Sequence, residues 1–375
     1  MLIRRAQAAD NLRILDFHTR HPMQGALPLR FDRSPDYFAL HRCHADDHRT
    51  WIAEDAQGDL KGIASLVVRD GYLAKRVEPV AYLGDLRVMP DRHLSRNWTD
   101  EVRRRLADLE HEAGVRHAYC AMIRDNRLAT QSLLGARRAG RLGFEHWRGY
   151  SNVSVYGQRG LRSAPRAVPG VRVVQAQPRH ADALRAFLDA ESMGQPFGCV
   201  FSTDEFARRL QSWPDFGIES FLLALDAHDN LLGCVAPWDA GRIKRIVLEG
   251  LPRSMEAIRV AFNAVAPVFG RPRIAAAGEV LKDVYLTHLQ VRQRDPVVFA
   301  ALLDAAWLQV RSRYALMQLC LYDDDPLWPA MARYRHTRVP MDLYTLSSAG
   351  GASTPGGGSA ACPDTGIPGF EIYLV

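Results

Sequence analysis

A chain of 375 residues, 47% of them hydrophobic, is long enough for two globular domains and apolar enough to give each a core. Its net charge of +6 is carried almost wholly by arginine: only Lys61, Lys75, Lys244 and Lys282 are lysine, so 48 − 4 = 44 basic residues are Arg. The arginines are dispersed rather than gathered in a stripe, which argues against a nucleic-acid partner and leaves phosphate-bearing ligands open. No apolar run is long enough to span a bilayer, and Met1-Leu2-Ile3-Arg4-Arg5 lacks the core of a signal peptide. The six cysteines are scattered, with no Cys-x-x-Cys pair. A cytoplasmic protein with neither a structural metal nor a membrane partner is the expectation.

In chain order, Ile3 to Gln7 reads as a short strand, and a helix follows from Ala9 with Leu12, Ile14, Leu15 and Phe17. Breakers crowd the loop at His21 to Gly25. Ser34-Pro35-Asp36 has the hydroxyl and the proline of a helix start, with Tyr37 and Phe38 on the inner face. Trp51 to Ala53 and Leu60 to Val68 read as strands around a turn at Asp55 to Asp59. The strand Tyr82-Leu83-Gly84-Asp85-Leu86-Arg87-Val88 then leads through a basic loop into a helix from about Trp98. Apolar Trp98, Val102, Leu106, Leu109 and Ala113 fall on one face of that helix. A strand at Tyr119 to Ile123 and a helix from Asn126 to about Ala136 follow. Gly143-Phe144 and Asn152 to Tyr156 read as a closing hairpin.

The second half retraces the first. Ser34-x-Asp36-x-Phe38-Ala39 recurs as Ser202-x-Asp204-x-Phe206-Ala207, and Tyr82-Leu-x-x-Leu-x-Val88 as Tyr285-Leu-x-x-Leu-x-Val291. Between Gly233 and Tyr285 the offset grows from 171 to 203, an insertion of 203 − 171 = 32 residues. Matches kept in order at a slowly growing offset indicate a duplicated unit. The expected division is a first unit at 1–158, a connector at 159–169 and a second unit at 170–347 with its insert near 240–280. A Gly/Ser/Pro-rich linker at 348–368 and a terminal strand at 369–375 complete it.

This order of elements resembles the GCN5-related N-acetyltransferase (GNAT) superfamily, in tandem. The resemblance rests on Val88-Met89-Pro90-Asp91, on Asn126 after the next strand and on Gly143-Phe144. It implies an α/β fold with a mixed sheet in two GNAT-like acyl-CoA N-acyltransferase domains. It also implies acetyl-CoA or another acyl-CoA as co-substrate, a small-molecule amine as acceptor, and no metal. The backbone of Leu86 and Val88 and the segment Arg92, His93, Ser95, Arg96 and Asn97, with Asn126, would hold the cofactor. Asp85 and Tyr119 would serve as base and acid. The sequence departs from the family where Arg92 to Trp98 contains none of the expected glycines. A GNAT-like binding or structural protein without catalysis therefore stands as the alternative. An aminoacyl-tRNA-dependent transferase stands third, against the dispersed basic pattern. Asp323-Asp324-Asp325 reads as a solvated turn before a metal site, and His288 as a satisfied strand histidine before a catalyst.

Overall fold

The structure is a computed structural model. It describes residues 2–21, 29–89, 92–126, 142–159, 168–251, 253–347 and 366–374, with backbone alone at 92–96, 254, 255 and 269. The loop at His21 to Gly25, the helix expected after Asn126, the connector at 159–169 and the Gly-rich linker lie wholly or mostly outside those residues.

The first unit runs β1 (Leu2–Arg5), α1 (Asn11–Arg20), β2 (Leu29–Asp32), α2 (Ala39–His44), β3 (Asp47–Glu54), β4 (Leu60–Leu73) and β5 (Arg76–Val88). It continues through α3 (Arg92–Ala113), β6 (His117–Ile123) and β7 (Gly143–Gln158). The second unit repeats this as β8 (Arg172–Gln175), α4 (Ala181–Met193), β9 (Gly198–Cys199), α5 (Thr203–Ser212), β10 (Leu222–Leu225) and β11 (Leu231–Trp238). After the insert, with β12 (Arg245–Leu248) and α6 (Arg253–Val265), come β13 (Asp283–Val291), α7 (Pro296–Val310), β14 (Leu316–Tyr322) and β15 (Tyr334–Ser347).

All strands but β2 and β12 join one mixed, 13-stranded sheet in the order β1-β3-β4-β5-β6-β15-β7-β14-β13-β11-β10-β8, with β9 added onto β4. The two units exchange their last strands: β15 lies against β6, and β7 lies against β14. The long β7–β15 pair joins the halves from Tyr334↔Gln158 to Ser347↔Gly143. The insert makes a second tie, because β12 pairs with β2 of the first unit.

Alternation sets the two faces of each half. Trp51, Ala64, Leu66, Leu83, Ala118 and Cys120 pack beneath α3, whereas Ile52 and Ile63 pack with Ile14 and Phe17 of α1. In the second half α7 is buried nearly all round, as its continuous apolar sequence requires. Its start is capped by Asp295, which accepts from Val297 N at 2.7 Å, and Pro296 removes an amide that would otherwise be unsatisfied.

Four expectations are corrected. Gly143 to Gln158 is one continuous strand, not a hairpin, because it is paired on both edges along its length. The helix after β5 begins at Arg92, so the segment read as a basic loop forms its first turns. Ser34-Pro35 opens a turn, and the helix there is limited to Ala39–His44, with Asp36 capping Phe38 N. The chain end is no strand at a sheet edge: Ile372–Leu374 forms a 3-10 turn buried in the core shared by the two halves.

Candidate active site

In each half two parallel strands start together and then part. Strands β5 and β6 are paired from Val80↔His117 to Leu83↔Cys120, and β13 and β14 only from Asp283↔Leu316 to Tyr285↔Gln318. Both leading strands carry a bulge just where parting begins. Asp85 has φ +52° and His288 φ +50°, at the same place in the repeat (85 + 203 = 288), and both break the register with the neighbouring strand. A bulge adds an unpaired residue and bends the strand, so it re-aims the backbone at the mouth of the cleft.

The two bulges hold different chemistry. Asp85 is buried, with Arg33 at 2.5 Å, the Tyr37 hydroxyl donating at 2.8 Å and His41 Nε2 at 3.2 Å. Burial would raise its carboxyl, but the charge of Arg33 and hydrogen bonds from His18 and His41 outweigh it and hold the group well below the usual carboxylate range. His288 is equally buried. Thr287 Oγ1 donates to Ala236 O and so accepts from His288 Nδ1, at 2.9 Å, which leaves Nε2 to accept from Arg209 at 3.2 Å. Burial, with the Arg209 charge, pushes this imidazole down to about 3, so it is neutral.

Arg209 organises the second cleft. Its guanidinium is fully buried and binds Glu371 through two nitrogens at 2.5 and 2.9 Å, while a third contact reaches Cys199 Sγ at 3.0 Å. Burial raises the Glu371 carboxyl, but Arg209 overrides it and keeps the group ionised. Burial also pushes the Cys199 thiol up to about 12. The chain end is thereby fixed inside the cleft. Tyr322 donates to Pro368 O at 2.7 Å, Tyr373 donates to Glu371 at 2.5 Å, and Lys244 Nζ donates to Tyr373 O at 3.2 Å. Phe370 enters an aromatic box, with Tyr150 at 5.3 Å and Tyr82 at 5.9 Å.

A cavity of about 80 Å³ remains between β13, β14 and this chain end. Arg294, Gln290 and Gln195 stand toward its outer side; the deeply buried Ser192, Cys199, Phe201, Leu286, His288 and Ile372 form its inner wall. Arg294 sits just before α7 and is held by Asp325 through Nε at 3.0 Å. The lining thus mixes polar and apolar side chains, and the charge of Arg294 at its edge is matched by Asp325. Backbone donors at the α7 start are less available, since Asp295 already occupies one and Pro296 has none.

The residues expected from the sequence lie in the first unit, and those that are described are placed as follows. Leu86 and Val88 pack at the edge of the core beneath α3, and Asn97 is exposed on that helix. Arg92, His93, Ser95 and Arg96 lie in the first turns of α3, and their side chains lie outside the described residues. Asn126 donates its backbone N–H to Ile123 O at the turn closing β6. Tyr119 stacks on Phe197 with centroids 4.8 Å apart, and its hydroxyl accepts from Arg69 at 3.3 Å. Asp323, Asp324 and Asp325 each pair with an arginine, Arg124, Arg148 and Arg294 respectively. Among the described residues no group of three or more His, Cys, Asp or Glu side chains could hold a metal ion. Sequence reasoning missed Arg209, Glu371 and Cys199. One signal was present: Arg209 falls three residues after Phe206, on the buried face of α5.

No protein-family model matches the sequence, and no curated protein matches it. Solved structures do match in shape. N-myristoyltransferase of Saccharomyces cerevisiae with bound myristoyl-CoA aligns over 95% of this chain and 85% of its own, at a TM-score of 0.57 and 10% identity. A GCN5-related N-acetyltransferase from Sphaerobacter thermophilus covers 94% of this chain and 97% of its own, at 0.56 and 13%. A conserved protein of unknown function from Enterococcus faecalis V583, described as a probable N-acyltransferase, covers 93% and 72%, at 0.50 and 10%.

Proposed function

We propose that this chain, which carries the GNAT fold twice over, is an acyl-CoA-dependent N-acyltransferase whose chemistry lies in the second unit. The observation that carries this reading is the cavity between the parting strands β13 and β14, lined by both polar and apolar side chains and bordered by the Arg294–Asp325 pair. The acceptor is an amine, which we place in the class of small molecules or amino-acid derivatives. Its nitrogen attacks the thioester carbonyl, the C–S bond breaks, the nitrogen loses a proton and the thiolate gains one.

In this reading the chain's own residues divide the work. The bulge at His288 and Leu289 turns backbone toward the reacting carbonyl, where an amide N–H can stabilise the oxyanion. Tyr322 lines the cavity and is the proton donor we assign to the leaving thiolate, a role that requires its hydroxyl to leave Pro368 O, which it holds at 2.7 Å. Glu371, Arg209 and His288 form a closed, mutually satisfied network that positions the chain end rather than exchanging protons. With His288 neutral and Cys199 protonated, the acceptor amine must shed its own proton before attack. The first unit, in which Asp85 is neutralised by Arg33 and Tyr119 is stacked, supplies the framework.

The test is direct. The protein is incubated with acetyl-CoA and longer acyl-CoAs and a panel of primary amines, and free CoA thiol and amide product are followed. Amine-dependent thiol release supports the reading. Acyl-CoA binding without release for any amine would leave a binding protein of the same fold.

A further inference from the structure

The insert helix α6 is inside out. Its polar side chains already have partners: Asn263 donates to Ile274 O at 2.9 Å and accepts from Ile274 N at 2.8 Å, and Glu256 pairs with Arg259 one turn along the same helix. Its outward face, continued into the next turn, presents Ile258, Val260, Ala261, Ala264, Val265 and Val268. Ile258 is 67% exposed and Val268 82%. A Val or Ile left in water forgoes the gain of burial, so several on one helix face call for a cover. The insert that carries this helix has no counterpart in the first unit.

We propose that this face seats the protein on an anionic lipid surface. Two observations choose that occupant over a second copy of the chain. The first is area: residues 257–268 offer ~18 Å by ~10 Å, or ~400 Å² for two helices together, on ordinary helix dimensions. A stable dimer buries at least roughly 1,200 Å². The second is charge. Arg253 stands exposed at the start of the helix, and Arg273 stands exposed beside Ile274, the partner of Asn263. Arg271, just after the helix, is turned inward instead, with its guanidinium over the Trp307 ring at 4.3 Å and donating to Tyr156 O at 3.1 Å, and takes no part in that charge. The acidic groups nearby are Glu256, engaged by Arg259, and Glu279, which accepts from Ala276 N. An apolar stripe flanked by cations needs no shape-matched partner to lie in a headgroup region. That no helix among the described residues is long and apolar enough to cross a bilayer has no bearing on a helix lying flat.

Flotation of the full chain with vesicles of phosphatidylcholine alone, or mixed with phosphatidylglycerol, tests this. The wild type should float with the mixed vesicles at low salt and be released as salt rises. Ile258→Asp combined with Val265→Asp should cut the bound fraction ~10-fold, as expected when the apolar anchor is lost. Because both side chains are exposed, the variant should keep the wild-type Tm. Arg253→Glu with Arg273→Glu should weaken binding and flatten its salt dependence, without placing a charge in the stripe. No flotation with either vesicle overturns the proposal. So does a wild-type dimer in sedimentation velocity that the Asp substitutions dissolve, which would assign the face to a second copy.

Discussion

The two halves share a bulged strand, yet they solve the same burial problem in opposite ways. In the first, the bulge residue is the anion: Asp85 is matched by Arg33 from the loop after β2. In the second, the bulge residue is the neutral His288, and the anion, Glu371, arrives from the end of the chain to meet Arg209. At equivalent points of the facing strands, the first half has Ala121 and Ile123 where the second has Cys320 and Tyr322. The difference shows how a duplicated unit can keep its backbone and divide its labour. One copy closes its cleft with a local ion pair, and the other keeps a cavity completed by a distant segment.

The largest effects should come from breaking either ion pair. Arg209→Met leaves Glu371 buried and unpaired, and Arg33→Met does the same to Asp85; each should cost about 3–5 kcal/mol in chemical denaturation. Adding Glu371→Gln to Arg209→Met should recover much of the loss, because the uncompensated charge is removed with its partner. Recovery would separate the cost of an unpaired charge from the cost of lost packing.

Next in size is the contrast between the tyrosines. Tyr322→Phe should lower kcat by about 100-fold, the low end of what a positioned proton donor contributes. Tyr119→Phe, in the first half, should leave kcat nearly unchanged. Equal losses from both would remove the division of labour. The same comparison extends to pH–rate profiles: activity should rise as the acceptor amine deprotonates, with no limb near 6.5 from a histidine in the cleft.

Stability against pH gives a third, smaller signal. His18 and His288 titrate at about 4 and about 3 in the folded state, against 6.5 unfolded. Between pH 6.5 and 4 the unfolded chain binds protons that the folded chain refuses, so stability falls as pH falls. Each histidine contributes about 1.4 kcal/mol per pH unit over that window. His288→Phe should make the urea midpoint less steep in pH. The smallest effect is expected at Asn97, exposed on α3, where Ala should leave acyl-CoA affinity within the roughly 0.5 kcal/mol of an ordinary surface change.

The fold was largely legible in the sequence because its signals are local and repeated. The Tyr-Leu-x-x-Leu-x-Val frame marks both bulged strands, and the apolar spacing from Trp98 to Leu109 marks the buried face of α3. The Arg209–Glu371 network of the second cleft was not legible, because it depends on partners far apart in the chain. Arg209 and Glu371 are 162 residues apart, and Lys244 meets Tyr373 across 129. The alternation in Gly369-Phe370-Glu371-Ile372-Tyr373 looks like a strand, but Glu371 and Tyr373 are pulled inward by Arg209 and by each other. The exchange of β7 and β15 likewise leaves no trace in periodicity, since either pairing buries the same alternate residues.

Calorimetry with acetyl-CoA and longer acyl-CoAs on the wild type and on Gln195→Trp most directly tests where the cleft lies. Gln195 is half-buried on the outer side of the second cavity, so a tryptophan there should obstruct entry without disturbing the core. The expected result is one site in the wild type, with stabilisation of about 2.7 kcal/mol at a hundredfold excess over Kd, and no binding to Gln195→Trp. Undiminished binding to Gln195→Trp, or no binding of any acyl-CoA to the wild type, would contradict it.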